Sequence, residues 1–406
     1  MSGIRRGTCL GAIAVLVAVG NAGAQKVPPR PRASAIADSN DARAFLNYGN
    51  DVFERDANAA SNAFYWAARL DPTLGEAFYG YRAAEIMRMP GLRREYFTGN
   101  DNNRSKDMLR LDSVYLRAVI ASPFLYRRLD KPMFTLWWHE AIERDLRQNG
   151  VNMNDVSAGE ISHYIDRAMQ MADQATRAWT AYSDGDFDLA LKRYADVIKA
   201  SKEKAGYRIA RGRIFGMRRE VDSAVSEFTQ AIQELKTRDA KKVVILYDSK
   251  AVLEHSIAVL LEGSSDNKGA REAYGRALQE DLSYWPAHLR LGLLALSEKD
   301  TSAALAELDL AAQVAPNEPW VREMYGVTLS SVGRKDDALV QLRKAAELEP
   351  YWAPPFAAIG RLLEKENPSA AIEAYQRFLN LSSRSAPMRR EIEERVAGLK
   401  GSRNNN

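Results

Sequence analysis

Along residues 333–350, GRKDDALVQLRKAAELEP, the apolar residues Ala338, Leu342 and Ala345 fall four and then three positions apart, with charged residues between them. That spacing draws one apolar stripe along a helix. Pro350 ends it, because proline lacks the N–H and its ring collides with the preceding turn. The stripe recurs upstream as Ala304, Leu308 and Ala311, followed by Pro316, and by the same step again as Ala270, Tyr274 and Ala277. In that third copy Leu282 stands where the others have proline. Downstream the stripe returns one residue early as Ala371, Tyr375 and Phe378, after a shorter turn at Asn367-Pro368. Farther upstream, Ala190, Tyr194 and Val197 recur as Ala224, Phe228 and Ala231. The helices ahead of these stripes repeat too: Gly292, Gly326 and Gly360 are evenly spaced, at the same step as the stripes.

A helix-turn-helix unit with a period of about 34 residues resembles the tetratricopeptide repeat (TPR), and the anchor positions resemble that family residue type by residue type. Its first helix carries a small residue where the partner helix crosses closely, a place taken here by Gly212, Gly292, Gly326 and Gly360, and by Ala258 in one unit. Its second helix runs small, large or aromatic, small, as in Ala338, Leu342 and Ala345. Six units are marked out, at 171–204, 205–238, 251–284, 285–318, 319–352 and 353–385, with a weaker seventh at 41–74 carrying Ala60, Phe64, Ala67 and Asp71-Pro72. The first helix of that seventh unit departs from the pattern at Asn47 and Tyr48. The resemblance implies an all-α fold: a TPR-type solenoid, 171–385, preceded by an irregular helical N-terminal region, 41–170, and followed by a capping helix at 386–400.

The period does not explain residues 75–170. Glu76 to Met87 reads as the opening helix of a further imperfect unit, TGNDNNRSKD (98–107) as a polar surface loop, and 122–146 as an aromatic-rich insert. Ser157 and Glu160 form a capping box that opens a long helix toward Trp179 and Tyr182. Residues 239–250, DAKKVVILYDSK, are an insertion with no turn signal, expected to lengthen a helix by about three turns.

The first residues read as an export signal: Arg5 and Arg6, an apolar run from Leu10 to Val19, and Ala22-Gly23-Ala24 as a cleavage site, giving a leader of 1–24. Cleavage there would remove Cys9, the one cysteine, leaving no disulfide, thiol nucleophile or cysteine metal site. It would also lower the formal charge from +4 to +2, a balance that does not suggest a nucleic-acid partner. No later stretch approaches the roughly 18–20 apolar residues of a membrane helix. The proline-rich 25–40 is expected to be a disordered spacer and 401–406 a frayed tail.

Catalytic chemistry is sparse. His139-Glu140-Ala141-Ile142-Glu143 approaches the zincin motif, but Glu143 stands where the second histidine belongs, so a metal would need a further ligand such as His163. His255 and His288 lie in separate repeats, and no glycine-rich phosphate loop or nucleophile elbow is present. Neither an enzyme nor a cofactor is expected.

A solenoid presents an extended concave surface, made by the first helices of its repeats. The lysine–asparagine clamp of chaperone-docking TPR proteins is absent, since Leu289, Leu293, Glu323, Val327, Ala357 and Arg361 occupy the corresponding positions. Arg290, Met324 and Ala358 replace the asparagine ladder of the glycosyltransferase superhelix. The expected function is an exported scaffold binding an envelope protein or peptide in that groove, with Arg213, Trp320, Glu323, Arg361, Trp179 and Tyr182 as candidate contacts. The alternatives are an envelope-polymer binder stacking sugars on the aromatics of 122–146 and a metal-dependent hydrolase centred on His139.

Overall fold

Asp186, Asp266 and Asp300 each open a second helix, their carboxylates accepting from the N–H groups of Leu189, Gly269 and Ala303 at 3.1, 2.9 and 3.0 Å. These caps satisfy donors that a helix start leaves without partners. The computed structural model describes residues 27–89, 106–124, 129–157, 159–163, 174–240 and 249–404, and among them there is no β-strand. Residues 1–24, expected to be an export signal, lie outside the described residues, as do most of the 98–107 loop and residues 164–173.

The array consists of six antiparallel helix pairs: α6 (Gln174–Ser183) with α7 (Phe187–Ala200), α8 (Ala205–Met217) with α9 (Val221–Asp239), α10 (Lys250–Gly263) with α11 (Asn267–Glu280), α12 (Trp285–Ser297) with α13 (Thr301–Val314), α14 (Pro319–Ser331) with α15 (Lys335–Leu348), and α16 (Pro354–Leu363) with α17 (Pro368–Leu381). A last helix, α18 (Arg389–Asn404), packs on α17. Each pair packs chiefly on itself and then on its neighbours in the chain, as a TPR-type solenoid does.

The small-versus-large anchors meet across each pair. A Cβ placed on Gly292 or Gly326 would lie 2.9 Å from Leu308 or 2.7 Å from Leu342, and one on Gly212 2.9 Å from Phe228. Gly360 meets Tyr375 in the same way. In five of the six pairs the chain reverses between the helices through one left-handed residue, Gly185, Arg219, Ser265, Lys299 or Gly333, with φ between 60° and 80°. These positions recur at the repeat period, save the step from Arg219 to Ser265, which the insertion stretches. The residue after each donates to a carbonyl five positions before it at 2.9–3.0 Å, the hydrogen bond of a Schellman-type stop.

The N-terminal block contains α1 (Ala42–Val52), α2 (Ala57–Leu70), α3 (Gly75–Arg88), α4 (Lys106–Ala121) and α5 (Asp130–Gln148). Gly49 supplies the close-crossing small residue of the first pair, against Phe64, two positions beyond the Asn47 at which the sequence pattern breaks. α3 packs against α2 and then against α4. Ser157 and Glu160 make the reciprocal capping box, at 2.7 and 3.2 Å.

Three expectations are corrected. The spacer is ordered from residue 27: the Trp66 indole donates to the Pro28 carbonyl at 2.9 Å, and the Arg30 guanidinium lies over Trp66 and Tyr351, 4.4 and 5.5 Å from their ring centres. Stacking on two aromatic faces holds a segment whose composition alone reads as flexible. The insertion does not continue a helix, because α9 stops at Asp239 and Lys250 Nζ reaches back to Asp239 Oδ2 at 2.7 Å. A continuous helix would set those residues about 16 Å apart; the intervening 241–248 lie outside the described residues. α18 runs to Asn404, into the expected tail.

Candidate functional site

The first helices α8, α10, α12 and α14 turn one face toward the N-terminal block, and the end of α4 is seated on it. Phe124 packs against Gly216, where a side chain would collide with its ring, and against Phe228 with ring centres 6.2 Å apart. Arg117 Nη2 donates to Glu318 Oε1 at 2.8 Å. Between α4 and the array lies a cavity of about 70 Å³, walled on one side by Ile120, Ala121 and Pro123 and on the other by His255, Trp285, Leu289 and Trp320. Farther along, Arg69 of α2 pairs with Glu349 at 2.8 Å, and Trp66 meets Tyr351 edge to face, with ring centres 4.9 Å apart. Asn40 Nδ2 donates to the Asn380 carbonyl at 2.8 Å, and the Arg384 N–H to Asp38 at 2.6 Å. Part of the surface expected to receive a partner, from Gly216 to Trp320, thus already holds residues 117–124 of the same chain. The contacts of Glu349, Tyr351, Asn380 and Arg384 lie at the ends of second helices and the turns after them.

Burial governs the titration of this face. Desolvation raises the carboxyls of Glu318 and Glu349 above the ordinary range, while Arg117 and Arg69 pull them back down. His255, 2% exposed and ringed by Tyr274 and Tyr284, is held down to about 3 by burial and by the Arg290 charge, so it is neutral at pH 7. Its Nδ1 has no hydrogen-bond partner among the described residues.

The six candidate contacts fall in different environments. Trp320 lines the cavity and packs with the α12–α14 core. Glu323, three residues on, is partly buried and has no hydrogen-bond or ion-pair partner among the described residues; burial raises its carboxyl to about 7. Arg361 is tied to Glu391 of α18 at 3.3 Å, an inter-helix role. Arg213 on α8 is partly buried, without a partner among the described residues. Trp179 is 37% exposed on α6, but Tyr182 is 6% exposed inside the α6–α8 core, its ring spent on packing. Two further positions assigned to the groove, Leu289 and Ala357, are each 1% exposed and belong to the cores between helices. What sequence reasoning missed is the occupant: Arg117, Phe124, Arg69 and Trp66 carry no repeat signal that would place them against the array.

The alternative sites gain little. Glu143 forms a helix-surface ion pair with Arg147 at 3.2 Å, and among the described residues no three His, Cys, Asp or Glu side chains cluster as a metal site. Of the aromatics in 122–146, Phe124 is committed to packing; Tyr126 and the side chains of Phe134, Trp137 and Trp138 lie outside the described residues. No described helix is long and apolar enough to cross a membrane.

No family model matches the chain, and no curated protein matches it. Among solved structures, the crystal structure of YrrB, a TPR protein with an unusual peptide-binding site, aligns with 46% of this chain and 91% of its own at 21% identity and a TM-score of 0.37. The crystal structure of MamA aligns with 43% of this chain and 94% of its own at 21% identity and a TM-score of 0.33. MamA from Desulfovibrio magneticus RS-1 aligns with 44% and 95% at 18% identity and a TM-score of 0.34. Likeness at this level leaves the assignment of a TPR-type all-α solenoid to the helix pairs themselves.

Proposed function

We propose that the chain is an exported, non-enzymatic scaffold that binds another protein or a peptide on the first-helix face of its repeat array. One observation carries this reading: the face already seats a polypeptide segment, the end of α4 and the residues just after it, through an inserted aromatic ring and a partly buried arginine–carboxylate pair. The same combination of apolar insertion and desolvated charge underlies recognition between separate chains. Among the described residues, the part left for a partner runs along α14 from Trp320, at the edge of the α4 cavity, through Glu323 to Val327, which is 38% exposed. Export is supported by Arg5-Arg6, the apolar run and Ala22-Gly23-Ala24.

The test is site-specific photo-crosslinking in envelope extracts with the chain lacking residues 1–24. A crosslinker at Val327 is expected to trap a discrete protein that one at Lys268, on a second helix, does not. The same species from both positions, or none from Val327, would overturn the reading.

A further inference from the structure

Three carboxylates are taken out of water on or beside the first-helix face. Glu318 receives Arg117 and Glu349 receives Arg69, each at 2.8 Å and each from the N-terminal block. The third, Glu323, receives nothing among the described residues. The arginines of the surrounding first helices are engaged elsewhere. Arg290 on α12 is held by Glu262 and Tyr274 at 2.9 and 3.2 Å, and Arg322 on α14 by Gln341 and two carbonyls at 2.8–3.1 Å. Arg361 on α16 is held by Glu391. A partly buried carboxylate without a cation is costly, and this one sits on the stripe of α14 that also carries Trp320 and the exposed Val327.

Resting on the reading of this face as the binding surface, we infer that Glu323 receives an arginine side chain of the partner, a peptide segment whose guanidinium pairs with the carboxylate while its aliphatic stem lies along Trp320 and Val327. The face thus treats a foreign segment as it treats its own, with a buried carboxylate accepting an arginine from the docked polypeptide. Arginine suits the place because its weakly hydrated, planar fork pairs with a desolvated carboxylate at less cost than an ammonium does. A partner chosen this way is basic at the contact, opposite in charge to the acidic C-termini that a lysine–asparagine clamp selects.

Fluorescein-labelled heptapeptides Leu-Ala-Xaa-Leu-Ala-Gln-Leu, with Xaa arginine, norleucine or glutamate, are titrated with the full chain by fluorescence anisotropy. The wild type is expected to bind the arginine peptide about tenfold more tightly than the norleucine peptide, as a charged hydrogen-bonded contact supplies. In Glu323→Gln the ratio should fall below about threefold, and in Glu323→Lys the glutamate peptide should become the preferred one, with circular dichroism verifying that both variants fold. Equal binding of the peptides by the wild type, or an arginine preference that survives in Glu323→Gln, would overturn the inference while leaving the binding face standing. Failure of all three peptides to bind would overturn both.

Discussion

Arg117 and Glu318 are 201 residues apart in the chain and 2.8 Å apart in space. Together with Arg69 and Glu349, 280 residues apart, they fasten the N-terminal block to the array at the start of α14 and the end of α15. Neither carboxylate is well hydrated, the Glu318 and Glu349 side chains each being 11% exposed, so the arginines stand in for water as well as joining two parts of the fold.

Removing one partner should therefore cost more than removing both. Arg117→Met is expected to destabilise by about 1–3 kcal/mol, because Glu318 stays buried without its cation. Adding Glu318→Gln should recover part of that loss. Urea midpoints of the two single variants, the double variant and wild type close the cycle; strictly additive effects would show that the pair is uncoupled.

The close crossings make a second prediction. With Leu342 Cγ 2.7 Å and the Ala338 carbonyl 3.2 Å from the position a Cβ would take, Gly326→Leu must push helix against helix. A loss of about 3 kcal/mol is expected, against less than about 0.5 kcal/mol for the exposed Lys268→Ala. Similar urea midpoints for the two variants would mean that α14 and α15 can separate without penalty.

At the left-handed turn position, glycine and non-glycine residues should respond in opposite directions. Lys299, at φ 64°, tolerates a conformation that favours glycine, so Lys299→Gly is expected to stabilise by about 0.5–1 kcal/mol. Gly333→Ala, at φ 77° in the next repeat, should destabilise by a similar amount, about 1 kcal/mol. Thermal midpoints that move in the same direction for both variants would contradict this account.

Glu323 should make stability fall as pH rises. Its carboxyl titrates near 7 in the folded chain, above the ordinary 4.5, so between those values the folded state holds more proton than the unfolded one. Stability from this group is full below pH 4.5 and is lost as pH climbs to about 7. His255, depressed from 6.5 to about 3, acts in the opposite sense, losing stability on acidification below 6.5. The comparison that isolates Glu323 is Glu323→Gln against wild type. The variant should gain at pH 8 relative to pH 4.5, by at most about 3 kcal/mol at 1.36 kcal/mol per pKa unit. An equal difference at the two pH values would remove the basis for the raised carboxyl.

The sequence by itself determined the repeat. Gly326 and Leu342, or Gly212 and Phe228, are in register because both halves of a helix pair lie within one repeat unit, where periodicity and chain reversal are local properties. The tertiary structure decided what lies on the repeat's first-helix face. Residues 27–40 read as disordered because their composition lacks a core of its own, yet Arg30 is fixed by Trp66 and Tyr351, whose rings come from distant parts of the chain. The insertion carries no turn signal, yet its two ends meet, Lys250 Nζ lying 2.7 Å from Asp239 Oδ2. Glu323 was legible as a position on the face, but that it, unlike Glu318 and Glu349, has no arginine among the described residues follows from where Arg117, Arg69, Arg290 and Arg361 find their carboxylates. Contacts that join residues 201 to 346 positions apart leave no period in the sequence. They depend on the rigid-body fit of a block to an array, which appears only when both are folded.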